Sequence, residues 1–243
     1  MSRASTLFTL LLAVFFSLAS AASAVPSKHD AWYKSSKAYQ TMYDGFEAEL
    51  IEMDNYMEGY PAFEQLLKEN EKLLAQCEKP APAGQDAASA CARVLGDCIV
   101  NMHKRQVAFY RENTGGTPGA LEGVYRLQAG QGRGGCLCIN ADEDGCWLEI
   151  NVWSDDMTLF GKATAKAKKG KAAFATTSVY DPAKNEDTTA GDVQLHIAVK
   201  DGAVTIETTD AFKKGGFVSF SADPEGERTI VPLDVSGTYK RVK

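Results

Sequence analysis

From Tyr39 onward the apolar residues fall at Tyr39, Met42, Tyr43, Phe46, Leu50, Met53 and Met57. Steps of three and four place them on one face of an α-helix. The acidic residues Asp44, Glu47, Glu49, Glu52 and Asp54 stand between them. Gly59-Tyr60-Pro61 ends that helix and opens a second, because proline is tolerated in a first turn. Its stripe of Phe63, Leu66, Leu67, Leu73 and Leu74 faces the first helix antiparallel. The Pro- and Gly-rich stretch 79–84 stops it. A short helix carrying Cys91 follows and breaks at Gly96, after which Asp97 is placed to cap a helix over 98–112.

Residues 113–120 are a breaker-rich linker, and the periodicity changes behind it from helical to alternating. Short runs at 123–127, 136–140, 147–153, 159–166 and 172–180 read as strands. Further runs at 193–200, 204–209, 217–221, 229–231 and 238–242 complete the set. Asp144-Gly145, Lys169-Gly170 and Asp201-Gly202 mark hairpins between them. Gly123-Val124-Tyr125 and Gly237-Thr238-Tyr239 repeat a G-x-Y signature in the first and last runs, which predicts that these two strands are neighbours in the sheet. The fold class is therefore α+β, a helical hairpin domain over 25–112 followed by an antiparallel β-meander over 121–243, as a small barrel or sandwich.

Residues 1–24 have the three parts of a secretory signal peptide: Arg3, an apolar run over 7–18, and the small residues Ala22-Ser23-Ala24. The apolar run is too short to span a bilayer, so no membrane span is expected once the leader is removed. The expected address is periplasmic or secreted. Lys and Arg number 26 against 32 acids, a net charge of −6. Loss of the leader removes only Arg3 and makes it −7. An acidic surface disfavours nucleic acid and anionic lipid and suits a basic protein partner.

An oxidising compartment turns attention to the six cysteines, Cys77, Cys91, Cys98, Cys136, Cys138 and Cys146. None forms a CxxC pair, which argues against redox catalysis and zinc ribbons. In one unbroken helix Cys91 and Cys98 would stand roughly 10 Å apart, too far to bond. The break at Gly96 would let them meet, and Cys77–Cys91 is the competing pair. Cys136 and Cys138 share one strand face and do not bond each other. One of them pairs with Cys146 on the returning strand. The other either meets the helical cysteine left over, stapling the halves, or stays a buried thiol.

Few motifs carry chemistry. Asn140, Asp142 and Asp144, with Gly145, resemble the opening of a calcium loop, but Asn151 stands where a bidentate Glu is needed, and an acidic hairpin turn fits as well. Lys162, Lys166, Lys168, Lys169 and Lys171 make a basic tract suited to an anionic glycan or headgroup, or to the solvated edge of a hairpin. His29, His103 and His196 are isolated, and no G-x-S-x-G, HExxH or phosphate loop occurs. No cofactor is expected, and the chain does not read as an enzyme.

The run Ala38-Tyr39, Met42-Tyr43, Phe46 and Leu50, followed by Phe63, Leu66-Leu67, Glu71, Leu74 and Cys77, resembles the N-terminal helical domain of LprI-type lysozyme inhibitors. Cys91, Cys98 and Arg105, followed by Gly123-Val124-Tyr125, are similar to the segment that often follows it. The likeness covers residues 38–126. Two features depart from the family: no cysteine pair precedes the first long helix, and Leu74 or a neighbour stands where the family has a tryptophan. The resemblance implies an envelope protein that docks on a basic lysozyme. Ser236 and Lys240, in Ser236-Gly237-Thr238-Tyr239-Lys240, echo the loop with which other periplasmic inhibitors fill a glycosidase cleft. There the hydroxyl and ammonium would bond the two catalytic carboxylates, although the spacing here is short and a plain strand end is the favoured reading. The alternatives are an envelope structural or interaction protein, and a calcium- or glycan-binding module.

Overall fold

The computed structural model describes residues 25–114, 121–128, 130, 132–141, 146–169, 173–181, 186–189, 195–200, 202–208, 217–219, 229–231 and 234–242. At 114, 141, 166–169, 173–181, 186–189, 195–196, 199–200, 208, 217–219 and 229–231 the description is of the backbone. The proposed leader, residues 142–145 and Lys171 lie outside the described residues.

Among the described residues four helices come first: α1 (His29–Ser35), α2 (Lys37–Met57), α3 (Pro61–Leu74) and α4 (Ala87–Thr114), with a 3-10 turn at Ala75–Glu78. Ser36 caps α2, its hydroxyl accepting from the Tyr39 amide at 3.3 Å, and Pro61 opens α3. The expected break at Gly96 is absent. The helix runs through it, and its N-terminal cap is Asp86, whose carboxylate accepts from the Ser89 amide at 2.9 Å. Gly96 instead marks a close approach, since a Cβ there would meet the Trp153 ring at 3.1 Å. Gly45 on α2 does the same beneath Phe160, at 2.8 Å. No helix among the described residues is long and apolar enough to cross a membrane.

One continuous helix also decides the disulfide. Cys91 and Cys98 are held two turns apart, and Cys77 bonds Cys91, clipping the Pro-rich turn between α3 and α4. Cys98, Cys136, Cys138 and Cys146 are buried thiols.

The strands are β1 (Gly123–Leu127), β2 (Arg133–Ala141), β3 (Cys146–Ser154), β4 (Phe160–Lys169), β5 (Ala173–Asp181) and β6 (Glu186–Thr189). They continue with β7 (Leu195–Lys200), β8 (Ala203–Thr208), β9 (Phe217–Ser219), β10 (Thr229–Val231) and β11 (Gly237–Arg241). They form an antiparallel curled sheet in the order β10-β9-β4-β3-β2-β1-β11-β8-β7-β5-β6. Because β5 pairs with β4 as well as with β7, the strands from β4 through β1 and β11 to β5 close on themselves as the expected small barrel. The first and last strands are neighbours, with Tyr125 opposite Arg241. The two G-x-Y signatures do the same job. Gly123 and Gly237 sit at φ +149° and +145°, where glycine is favoured. The Tyr125 and Tyr239 hydroxyls each donate to the carbonyl four residues back, of Leu121 at 2.7 Å and of Val235 at 2.8 Å.

Register divides the sheet into two faces. Leu137, Ile139, Cys146, Leu148, Ile150, Val152, Ala163 and Ala165 point to the inside of the curl and form one core with Tyr125 and Tyr239. Val124, Cys136, Cys138, Trp153 and Phe160 point the other way and pack under α2 and α4, in a second core with Tyr39, Met42, Met53, Leu95, Ile99 and Met102. A Cys146 bond to Cys136 or Cys138 is therefore ruled out. Cys146 lies opposite Ala141, an odd number of residues from both, so its side chain leaves the opposite face of the sheet.

Candidate functional site

Where the helices cover the sheet, the apolar interface gives way to a knot of polar side chains. α2 supplies Glu49 and Glu52, α4 supplies His103 and Gln106, β3 supplies Glu149 and Asn151, and β4 supplies Lys162. Glu49 lies on the core side of α2, one turn from Phe46 and Met53. His103 follows Ile99 by one turn of α4. Glu149 and Asn151 are two apart on β3, and Asn151 is the register partner of Lys162, so three strand side chains rise from one patch.

Burial is nearly complete. The side chains of His103, Glu49, Glu149 and Lys162 keep 0, 1, 1 and 6% of their exposure. Charges are stable there only if paired and hydrogen-bonded. The Lys162 ammonium lies 3.2 Å from Glu49 and 2.7 Å from Glu52, and it contacts Glu149 Oε1. Glu52 is the one carboxylate at the solvent rim.

The state of His103 follows from its neighbours. Its Nε2 is 2.7 Å from Asn151 Oδ1 and its Nδ1 is 3.0 Å from Gln106 Oε1. Both amides are oriented by carboxylates: Asn151 Nδ2 donates to Glu49 at 2.8 Å, and Gln106 Nε2 donates to Glu149 at 3.0 Å. Each ring nitrogen therefore faces an oxygen acceptor, and an imidazole satisfies two acceptors only with a proton on both nitrogens. The geometry suits a His103 ring with a proton on both nitrogens. Burial opposes that charge, but the Cys136 and Cys138 sulfurs and the Glu149 carboxylate outweigh it and hold its pKa well above 6.5. Burial likewise raises Glu149, and Lys162 and His103 together pull it below the usual carboxylate range. Lys162 stands well above its ordinary value, with burial overridden by Glu149, Glu49 and Glu52. Two cations thus face two fully buried anions, and the interior is neutral.

This arrangement limits what the cluster does chemically. Glu49, His103 and Glu149 offer ligand atoms within 4.8 Å of one another, a mixed oxygen and nitrogen set of the kind divalent ions use. Lys162 already supplies positive charge between the carboxylates, and His103 would have to give up a proton to offer a lone pair there. Proton transfer to a substrate needs a path to the outside, and the member of the knot at the rim, Glu52, is paired with Lys162. Two of the thiols are quiet too. Burial raises Cys98 and Cys138, and low-pKa thiolates are what react.

The other residues singled out from the sequence fall elsewhere. Asn140 is buried at the end of β2, its amide 3.7 Å from Cys138 Sγ, and Asp142 and Asp144 lie outside the described residues. Lys162 was read with a solvated basic tract, and it is instead the buried cation of the knot. The carboxylates of α2 and β3 draw it inward. Lys166, Lys168 and Lys169 continue β4. His29 joins an aromatic group, 3.0 Å from the Tyr39 hydroxyl, and His196 lies on β7. Ser236 donates to Asp234 at 2.6 Å and its carbonyl accepts from Arg133, so it ties down the entry to β11, where Lys240 is exposed. Arg105 holds Glu69, linking α4 to α3.

From the sequence, Glu49 and Glu52 read only as acids between the apolar positions of the first helix and Asn151 only as the twelfth position of a calcium-like loop, while Gln106 and Glu149 belong to no motif. The available signal was a polar residue in an apolar register: Glu49 between Phe46 and Met53, and Gln106 after Met102. Comparison of the chain with protein-family models, with curated proteins and with solved structures returned no match.

Proposed function

We propose that this is an exported, non-catalytic binding protein that engages a basic protein partner through its acidic helical half. A lysozyme is the partner to which the resemblance over residues 38–126 points. One observation carries the reading. The buried carboxylates and imidazole are neutralised by one another and by Lys162, so they hold the helices to the sheet and leave recognition to the surface. That surface has an excess of acids, with a net charge of −6 over the chain, and negative charge steers and holds a basic partner. The Cys77–Cys91 bond suits an oxidising address.

The test is a turbidity assay of c-type lysozyme on cell walls, with the mature protein added in increasing ratio. Clearing should slow in proportion to the added protein and saturate near equimolar. Unchanged clearing at a tenfold excess would remove lysozyme as the partner.

A further inference from the structure

The corner between α2 and α3 holds an open pocket of about 330 Å³, lined by Asp54, Glu58, Tyr60, Phe63, Glu64 and Leu67. Its charge is not explained by the fold. Asp54 lies in the last turn of α2 and Glu58 is its C-cap residue, where negative charge opposes the helix dipole. Among the described residues no basic side chain is paired with Asp54, Glu58 or Glu64. Glu69, Asp97, Glu122 and Asp234 each have an arginine instead. The Asp54 carboxyl is pushed up first by burial and then by Glu58, so the charged form is held at a cost.

The walls are as informative as the acids. Tyr60 is 48% exposed, yet its ring is braced edge-on against Phe109 at 4.7 Å, which fixes its direction. An aromatic face beside carboxylates is the chemistry that holds a guanidinium or ammonium group. Phe63 and Leu67 add apolar wall to the pocket. The volume lies at the lower bound for small-ligand pockets, which suits the tip and stem of one long side chain.

We propose that this corner is where the partner is anchored, and that it takes one arginine or lysine side chain of a basic protein between Tyr60 and the Asp54, Glu58 and Glu64 carboxylates. The assignment deepens the reading of a basic partner and rests on it for the partner, while the pocket is testable alone.

The mature protein is titrated with N-acetyl-arginine amide, and with the neutral N-acetyl-norleucine amide as control, by two-dimensional NMR. Arginine amide should shift the resonances of residues 54–67 and the neutral control should not. Asp54→Asn/Glu58→Gln should abolish the shifts without lowering Tm, since it relieves repulsion. In the turbidity assay the same variant, and separately Tyr60→Leu, should inhibit at least tenfold less well. Shifts that are absent, lie elsewhere or survive in the double variant overturn the pocket, whatever lysozyme does. Arginine binding at 54–67 without any slowing of lysozyme keeps the corner and removes that partner. Slowing that is unchanged in both variants keeps the partner and removes the corner.

Discussion

Lys162 is the residue on which most of the interior depends. It holds two carboxylates that are 1% exposed, and removing it leaves Glu49 and Glu149 with His103 as their only cation. Breaking one partner of a buried charge set costs about 3–5 kcal/mol, so Lys162→Met should lower Tm by roughly 10 °C in a chain of this size. Lys162→Met/Glu149→Leu should be more stable than Lys162→Met alone, because it returns the knot to one cation and one anion, His103 and Glu49. Thermal melts by circular dichroism measure both. Losses that simply add would show that the four charges are not one unit.

At the scale of elements, α4 organises the helical half. It carries Cys91 near its start, Gly96 against Trp153, and His103 and Gln106 against the knot, and its continuity lines these up on one side. The Cys77–Cys91 bond closes a loop of 14 residues between α3 and α4, which stabilises by roughly 3 kcal/mol, mainly by restricting the unfolded chain. Reduction, or Cys77→Ser/Cys91→Ser, should therefore lower Tm by several degrees while the β-sheet signal persists at room temperature. An unchanged melt on reduction would show that the clip adds nothing. A break at Gly96 was a fair expectation from helix propensity. The burial of Trp153, Met42 and Leu95 around that glycine outweighs the roughly 1 kcal/mol that propensity assigns.

The whole molecule responds to pH through the knot. Glu149 is depressed in the fold, so its contribution is present above the unfolded value of 4.5 and is lost as pH falls through the folded value. His103 is raised above 6.5, so its contribution is complete below 6.5 and is lost as pH rises through its folded value. Lys162 behaves in the same way above 10.5. The three windows overlap from about pH 4.5 to 6.5. Calorimetry should find the highest Tm there, with a decline toward pH 9 that is flatter in His103→Gln. A maximum near pH 8 would contradict the imidazolium.

The sequence by itself determined the order of the halves, the two long helices at 37–57 and 61–74, most strands to within a few residues, and the meeting of β1 with β11. These are local matters, because apolar periodicity, proline, glycine and the G-x-Y signature act within a few residues of where they stand. Tertiary structure decided which face of the sheet the helices cover. Along β3, Trp147, Glu149, Asn151 and Trp153 alternate with Cys146, Leu148, Ile150 and Val152, and such a strand reads as one face buried and one solvated. The helices bury most of the second face, so residues patterned for water became a neutral charged knot, and Cys146 was cut off from Cys136 and Cys138. A strand encodes two faces, but whether another element lies over one of them is settled only when distant parts of the chain pack.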